Sequence, residues 1–316
     1  MELAILDAAT LGEDLDLSLF DAYGHVTVYP TSPPEELGAR VKDAEVLLIN
    51  KIRITEEVLD AAPRLRLICI AATGYDNVDV AACRRRGVGV ANVVGYSANS
   101  VSQLTVAMVL SLINRLPEYS GFVAGGDYRR GAVANRLTPV YHEIAGLTWG
   151  VFGYGAIGRR VADAARALGC RVLYTRGNPD GSEACVDFET LCRESDILTL
   201  HSPLNDTTRG ILSRERIALM KDGAILVNVS RGAVTDEKAV AEAVLSGKLS
   251  GFGCDVYSRE PYGDSHPFVA IEGHPSVCLT PHMAWGAYEA RSRCLREMAL
   301  NIEAFFRGEA RSRVDL

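Results

Sequence analysis

Three residues set just past apolar runs carry the most legible chemistry in this chain: Arg231 after AILVNVS, Glu260 shortly beyond GFGCDV, and His282 at the end of VCLTPH. Arginine presents a planar two-pronged donor set that matches a carboxylate and a neighbouring carbonyl. Histidine gives and takes a proton near neutral pH, and a carboxylate beside it favours the protonated ring. Together they supply what interconversion of a 2-keto acid and a 2-hydroxy acid asks of side chains. Singly, each has a plainer role: a strand cap, a surface acid before Pro261, a satisfied buried imidazole. Their grouping at three strand ends favours the joint reading, because ligands of open α/β sheets bind beyond the carboxyl ends of the strands. The other histidines, such as His25, His142, His266 and His274, fall in loops or at domain edges, and His201, within DILTLHSP, reads as pocket lining.

A hydride carrier is suggested by Gly153-Tyr154-Gly155-Ala156-Ile157-Gly158, which follows the apolar run TWGVFG and opens an alanine-rich helix. The first glycine permits a tight turn, the second lets backbone approach a pyrophosphate, and the third allows close helix–strand packing. The helix N-terminus adds unpaired N–H groups and partial positive charge. A glycine pattern alone is weak evidence, but the strand before it and the returning strand CRVLYT stand at βαβ spacing. Where an NAD site places an acid, at the end of that second strand, the chain has Thr175-Arg176. A carboxylate there repels a 2′-phosphate whereas arginine pairs with one, so the reading favours NADP(H) over NAD(H). An exposed Arg176 without cofactor contact is the alternative.

The elements that must position these groups follow from pattern. A chain of 316 residues exceeds what one hydrophobic core usually serves, so two domains are expected. Hydrophobic residues at 48% and charged residues at 23% give the balance of a globular chain rather than a disordered or fibrous one. The runs ELAILD, HVTVYP, VLLI, LRLICIAA and VGVANV alternate with amphipathic stretches, as parallel strands joined by crossover helices do. One long helix from Ser97 to Leu116, ended by Pro117, is expected to link the domains, followed by a glycine-rich polar stretch. Strand and helix then alternate again to VCLTPH, and a final helix over roughly 286–306 is long enough to return to the first domain.

A net charge of −7 argues against nucleic acid or an anionic membrane as partner. No apolar stretch is long enough to span a bilayer, and the N-terminus carries acids where a signal peptide carries bases, so a cytoplasmic protein is expected. Eight cysteines without a Cys-x-x-Cys pair or zinc spacing read as buried, reduced thiols, and no metal is expected.

These motifs resemble those of the D-isomer-specific 2-hydroxyacid dehydrogenases: the glycine pattern at 153–158, the run His201-Ser202-Pro203-Leu204 with Thr208, Ser230-Arg231-Gly232, Asp255 with Glu260-Pro261, and Pro281-His282. The similarity runs from about Ala71 to the C-terminus and more faintly before it. It implies an α/β fold of two doubly wound parallel-sheet domains, a Rossmann dinucleotide-binding domain (99–286) inserted in a flavodoxin-like substrate domain (1–98 plus 287–316). It also implies a homodimer built largely on the dinucleotide domain. Arg231 then binds substrate, His282 is the acid/base, and Glu260 hydrogen-bonds the histidine. The loop Thr73-Gly74-Tyr75, Lys51 and Trp285 are implied at the substrate. Thr175, Arg176, His201, Ser202, Pro203, Thr208, Val229, Ser230, Asp255 and Ala284 are implied at the cofactor, Asp255 near the carboxamide. The His-x-Ala-Trp form, with Asn50-Lys51 and Gln103, is most similar to members that reduce hydroxypyruvate to D-glycerate. Hydroxypyruvate/D-glycerate or glyoxylate/glycolate is therefore the expected substrate pair. Another D-2-hydroxyacid dehydrogenase, such as one for D-lactate, is the enzymatic rival and a dinucleotide-sensing corepressor-like protein the non-enzymatic one, and turnover of a short 2-keto acid separates enzyme from sensor.

Overall fold

The computed structural model describes residues Met1–Leu316, which divide into two compact units: 1–97 with 286–316, and 98–285. In the first unit the strands are β1 (Glu2–Ile5), β2 (His25–Val28), β3 (Val46–Ile49), β4 (Leu67–Ile70) and β5 (Gly89–Ala91). Their order is β2-β1-β3-β4-β5, all parallel. This is the flavodoxin-like order, with its switch point between β1 and β3. Helices α1 (Pro34–Val41), α2 (Glu56–Asp60) and α3 (Val80–Arg85) make the crossovers, and a C-terminal helix, Tyr288–Phe306, completes the unit. β3 and β4 are fully buried and wholly apolar, as strands covered on both faces must be, while the edge strand β2 is partly exposed.

The second unit opens with α4 (Ala98–Ile113), α5 (Leu116–Ala124) and α6 (Asp127–Arg130). Its sheet contains β6 (Thr148–Phe152), β7 (Arg171–Thr175), β8 (Ile197–Leu200), β9 (Ala224–Asn228), β10 (Leu249–Cys254) and β11 (Val277–Leu279), in the parallel order β11-β10-β9-β8-β6-β7. Crossover helices are α7 (Ala156–Ala167), α8 (Phe188–Glu194), α9 (Arg214–Leu219) and α10 (Glu237–Leu245). Alternation along each strand feeds two cores. Leu198, Leu200 and Leu226 join Val240, Phe252 and Phe268 on one face, whereas Ile197, Ile225 and Val227 join Val101, Met108, Trp149 and Val161 on the other. The chain leaves β6 toward β7 and returns to β8 on the opposite side, so the switch point lies between β6 and β8.

The doubly wound sheets are as expected; the linking helix is not. It stops at Ile113 because Arg115 takes a left-handed conformation, and Pro117 sits in the first turn of α5 instead of ending α4. Proline is tolerated there because first-turn N–H groups have no intrahelical partner. The glycine-rich stretch that follows is correspondingly more helical than its composition suggests. No helix is long and apolar enough to cross a membrane.

Candidate active site

At the switch point of the second unit, the glycine turn is built by close approach. Gly153 has φ +96°, and a Cβ on it would lie 2.6 Å from the backbone nitrogen of Ser202, so only glycine lets the end of β6 pass the end of β8. A Cβ at Gly158 would stand 2.1 Å from the Gly153 carbonyl oxygen, which fixes how α7 packs on its strand. A Cβ at Gly155, by contrast, would meet nothing within 4 Å. Gly155 caps α7 with no side-chain hydrogen bond, so the first N–H groups of the helix are offered outward.

Around this opening, four buried polar atoms lack a hydrogen-bond partner: Thr175 Oγ1, Ser202 Oγ and both ring nitrogens of His201. Buried polar groups are nearly always paired, so orphans gathered at the carboxyl ends of β7 and β8, beside the glycine cradle, mark where a polar ligand completes them. The residues fit a nicotinamide dinucleotide. Burial pushes the His201 pKa down to about 3, so its ring is neutral at physiological pH and is no proton donor. Tyr154 stacks on Tyr174 at 3.8 Å between centroids, and Arg176 pairs with Asp180 at 3.2 Å. The Tyr174 hydroxyl also donates to Asp180, which holds that carboxyl below its usual value. Thr208 donates to the Pro203 carbonyl at 2.7 Å, closing the loop that follows β8.

Arg231, Glu260 and His282 follow three neighbouring strands, β9, β10 and β11. Asn228, fully buried at the end of β9, accepts from the Ser230 N–H at 3.0 Å and the Ser230 hydroxyl at 2.9 Å, and donates to the Arg231 carbonyl at 3.0 Å. That wraps the turn from Val229 and leaves Arg231 extended, with Nη1 donating to the Ser230 carbonyl at 2.9 Å. After β10, the Glu260 carboxylate accepts from the Tyr257 N–H at 3.0 Å and meets His282 Nδ1 at 2.5 Å. The structure therefore joins Glu260 and His282 directly.

Asp255 holds the histidine turn. Its buried carboxylate accepts from the Thr280 hydroxyl at 2.6 Å and from the N–H groups of Met283 and Ala284 at 2.8 and 2.9 Å. Burial raises its carboxyl above the ordinary value, with these hydrogen bonds opposing the rise. His282 itself has φ +52°, an uncommon backbone state for a residue with a side chain. Such strain persists only where the surroundings over-determine it. Trp285, expected at the substrate, donates its indole N–H to the His282 carbonyl at 2.9 Å.

Lys51, Thr73, Gly74 and Tyr75 belong to the first unit, at the carboxyl ends of β3 and β4. Asp7, just past β1, accepts from the N–H groups of Asn50 and Lys51 at 3.0 and 2.6 Å, and burial raises its carboxyl above the ordinary value. Asn77 donates to the Ile52 carbonyl at 2.7 Å, and Asn92 donates to that of Thr73 at 2.7 Å. Asp7 and Asn228 escaped the sequence reading, although each follows an apolar run, the same signal that marked His282.

Comparison with known proteins agrees with this geometry. Residues 106–284 match the family model described as the D-isomer specific 2-hydroxyacid dehydrogenase, NAD binding domain. The chain is 35% identical over 285 residues to the glycerate dehydrogenase of Methylorubrum extorquens, covering 90% of each protein. It is 33% identical over 317 residues to the hydroxypyruvate reductase of Blautia hydrogenotrophica, covering 98% of each. Among solved structures, D-lactate dehydrogenase from Aquifex aeolicus, complexed with NAD and lactic acid, superposes with a TM-score of 0.85 at 28% identity, over 98% of this chain and 96% of that one. The chain belongs to the D-isomer specific 2-hydroxyacid dehydrogenase family.

Proposed function

We propose that the protein reduces hydroxypyruvate and glyoxylate to D-glycerate and glycolate, and runs the reverse oxidation. The carrying observation is the Glu260–His282 pair, 2.5 Å apart, which follows β10 and β11 beside the β9 that leads to Arg231, in the sheet that also holds the glycine cradle. As an oxidoreductase of its family, the protein works with a nicotinamide dinucleotide, which when bound supplies or accepts the hydride at C2 of the substrate.

The side chains supply the rest. The Arg231 fork clasps the substrate carboxylate and 2-keto oxygen, which orients C2 and draws charge onto that oxygen. His282 delivers a proton from Nε2 to the oxygen as it becomes a hydroxyl, and withdraws it in the oxidation. Glu260 on Nδ1 fixes the ring orientation and stabilises the imidazolium. Lys51, Thr73, Gly74, Tyr75 and Trp285 contribute substrate contacts. Glycerate dehydrogenase and hydroxypyruvate reductase relatives, matched over nine-tenths or more of the chain, support this substrate class over pyruvate. The test is kcat/KM for hydroxypyruvate, glyoxylate and pyruvate: pyruvate ranked first would overturn the substrate assignment.

For the cofactor, Gly153 to Gly158, His201, Ser202, Pro203, Thr208, Val229, Ser230, Asp255 and Ala284 would hold the common parts, and Thr175 with Arg176 would meet the adenosine ribose. A 2′-phosphate replaces Asp180 as the partner of Arg176 and takes the orphaned Thr175 hydroxyl, so NADPH should serve at least as well as NADH. Thr175→Asp with Arg176→Ala should swing preference toward NADH by about tenfold or more, since a charge-assisted hydrogen bond is worth ~1.5–3 kcal/mol. A wild type strongly preferring NADH, and indifferent to the double change, would show that Arg176 takes no part.

The protein is also proposed to be a homodimer. Val133, Leu137 and Val140 are 68%, 71% and 67% exposed, and Leu116 and Val123 earlier in the same segment are exposed as well, apolar side chains that a subunit interface would cover. Light scattering should give twice the chain mass; a single-chain mass would contradict it.

A further inference from the structure

Glu237 heads α10 and His266 lies 29 residues further on, yet their side chains meet at 3.0 Å and are only 9% and 7% exposed. The Phe268 N–H donates to His266 Nδ1 at 3.2 Å, which places the ring proton on Nε2, pointing at the Glu237 carboxylate. That carboxylate also accepts from the N–H and hydroxyl of Ser258, at 2.8 and 2.5 Å. The rings of Tyr262 and Phe268 stand 4.6 and 5.0 Å from the imidazole and close the cluster. Burying a carboxylate is costly unless donors satisfy it, and here the donors are His266 and, in the turn Tyr257–Glu260, the N–H and hydroxyl of Ser258.

What the cluster holds is the loop on which Glu260 rides. Ser258 is two residues before Glu260, and the Tyr257 N–H is one of the Glu260 carboxylate's own donors. The far side of this turn presses on Gly232, the residue after Arg231: a Cβ there would lie 2.0 Å from the Tyr257 carbonyl carbon and 2.1 Å from the Ser258 nitrogen. Glu237 thus pins the turn against the backbone that carries Arg231, while the Tyr257 hydroxyl ties it to the Thr280 carbonyl, two residues before His282, at 2.9 Å.

We propose that Glu237, oriented by His266, is a positioning residue: through Ser258 it sets the place of the Glu260 carboxylate relative to both Arg231 and His282. The proposal rests on reading Glu260 as the partner of His282 in catalysis. Misplacing a catalytic group by about 1 Å can cost on the order of 10²-fold in rate, and residues that act through one another show non-additive losses.

The experiment is a double-mutant cycle in kcat and KM for hydroxypyruvate and for the reduced nicotinamide. Glu237→Gln should lower kcat about tenfold or more with the nicotinamide KM unchanged, and should cost less than about twofold when introduced into Glu260→Gln. Ser258→Ala, which deletes one hydroxyl and so spares folding, should show a smaller loss with the same dependence on background. Equal fold-losses in both backgrounds, or a nicotinamide KM that rises with the kcat loss, would mean a general structural role and overturn the proposal alone. Wild-type kcat in Glu260→Gln itself would overturn both this proposal and the catalytic reading beneath it.

Discussion

Replacing His282 with alanine should lower kcat by about 10²–10⁴-fold while leaving KM for the 2-keto acid near its wild-type value, because general acid catalysis acts on the transition state and not on ground-state binding. The geometry fits the ring to this proposed task. Its Nδ1 is committed to Glu260 at 2.5 Å, and Asp255 takes the N–H groups of Met283 and Ala284 so that the turn cannot drift. His201 lies in the same unit at the end of β8, but burial holds its pKa near 3, so its ring is neutral and no general acid at neutral pH. The positive φ of His282 raises a second question, whether alanine harms the backbone as well as the chemistry. Asparagine answers it, since it tolerates the left-handed region more readily than most residues. His282→Asn should lose as much rate as His282→Ala with a cooperative unfolding transition close to wild type. A variant with near wild-type kcat would remove His282 from the mechanism.

Arg231→Lys should cost at least about tenfold in kcat/KM although the charge is kept. Lysine is a point charge on a flexible stem and cannot present the planar fork that spans a carboxylate and the adjacent carbonyl. Hydrogen bonds to charged groups are worth ~1.5–3 kcal/mol each, and losing one corresponds to an order of magnitude or more. The native fork is aimed by its own turn: Nη1 donates to the Ser230 carbonyl, and Asn228 holds the Arg231 carbonyl from behind. Lysine recovers none of that direction. Activity within about threefold of wild type would contradict the role assigned to the fork.

Much of this architecture is legible along the chain because local physics sets it. The turn at Gly153 needs a positive φ, the helix after it needs an open N-terminus, and apolar runs covered on both faces read as parallel strands. The placement of Arg231, Glu260 and His282 just past three such runs follows from where ligands bind in open sheets. Other features depend on contacts that no window reveals. Arg115 ends α4 through a left-handed backbone that its residue type does not announce, so Pro117 looked like a stop when it opens the next helix. The Glu237–His266 pair joins residues 29 apart, and His266 read as a loop histidine because its burial comes from Tyr262 and Phe268 folding over it. Asp7 was legible in principle, an acid at the end of ELAILD, but its task of holding Asn50 and Lys51 shows only when β1 and β3 lie side by side.

The central claim, that this chain moves a hydride between a nicotinamide dinucleotide and a short 2-keto acid with D stereochemistry, is tested most directly by adding hydroxypyruvate to the protein with NADPH or NADH. Loss of the reduced-nicotinamide absorbance should match, mole for mole, the D-glycerate formed. No turnover of hydroxypyruvate, glyoxylate or pyruvate with either cofactor, or formation of L-glycerate, would contradict it.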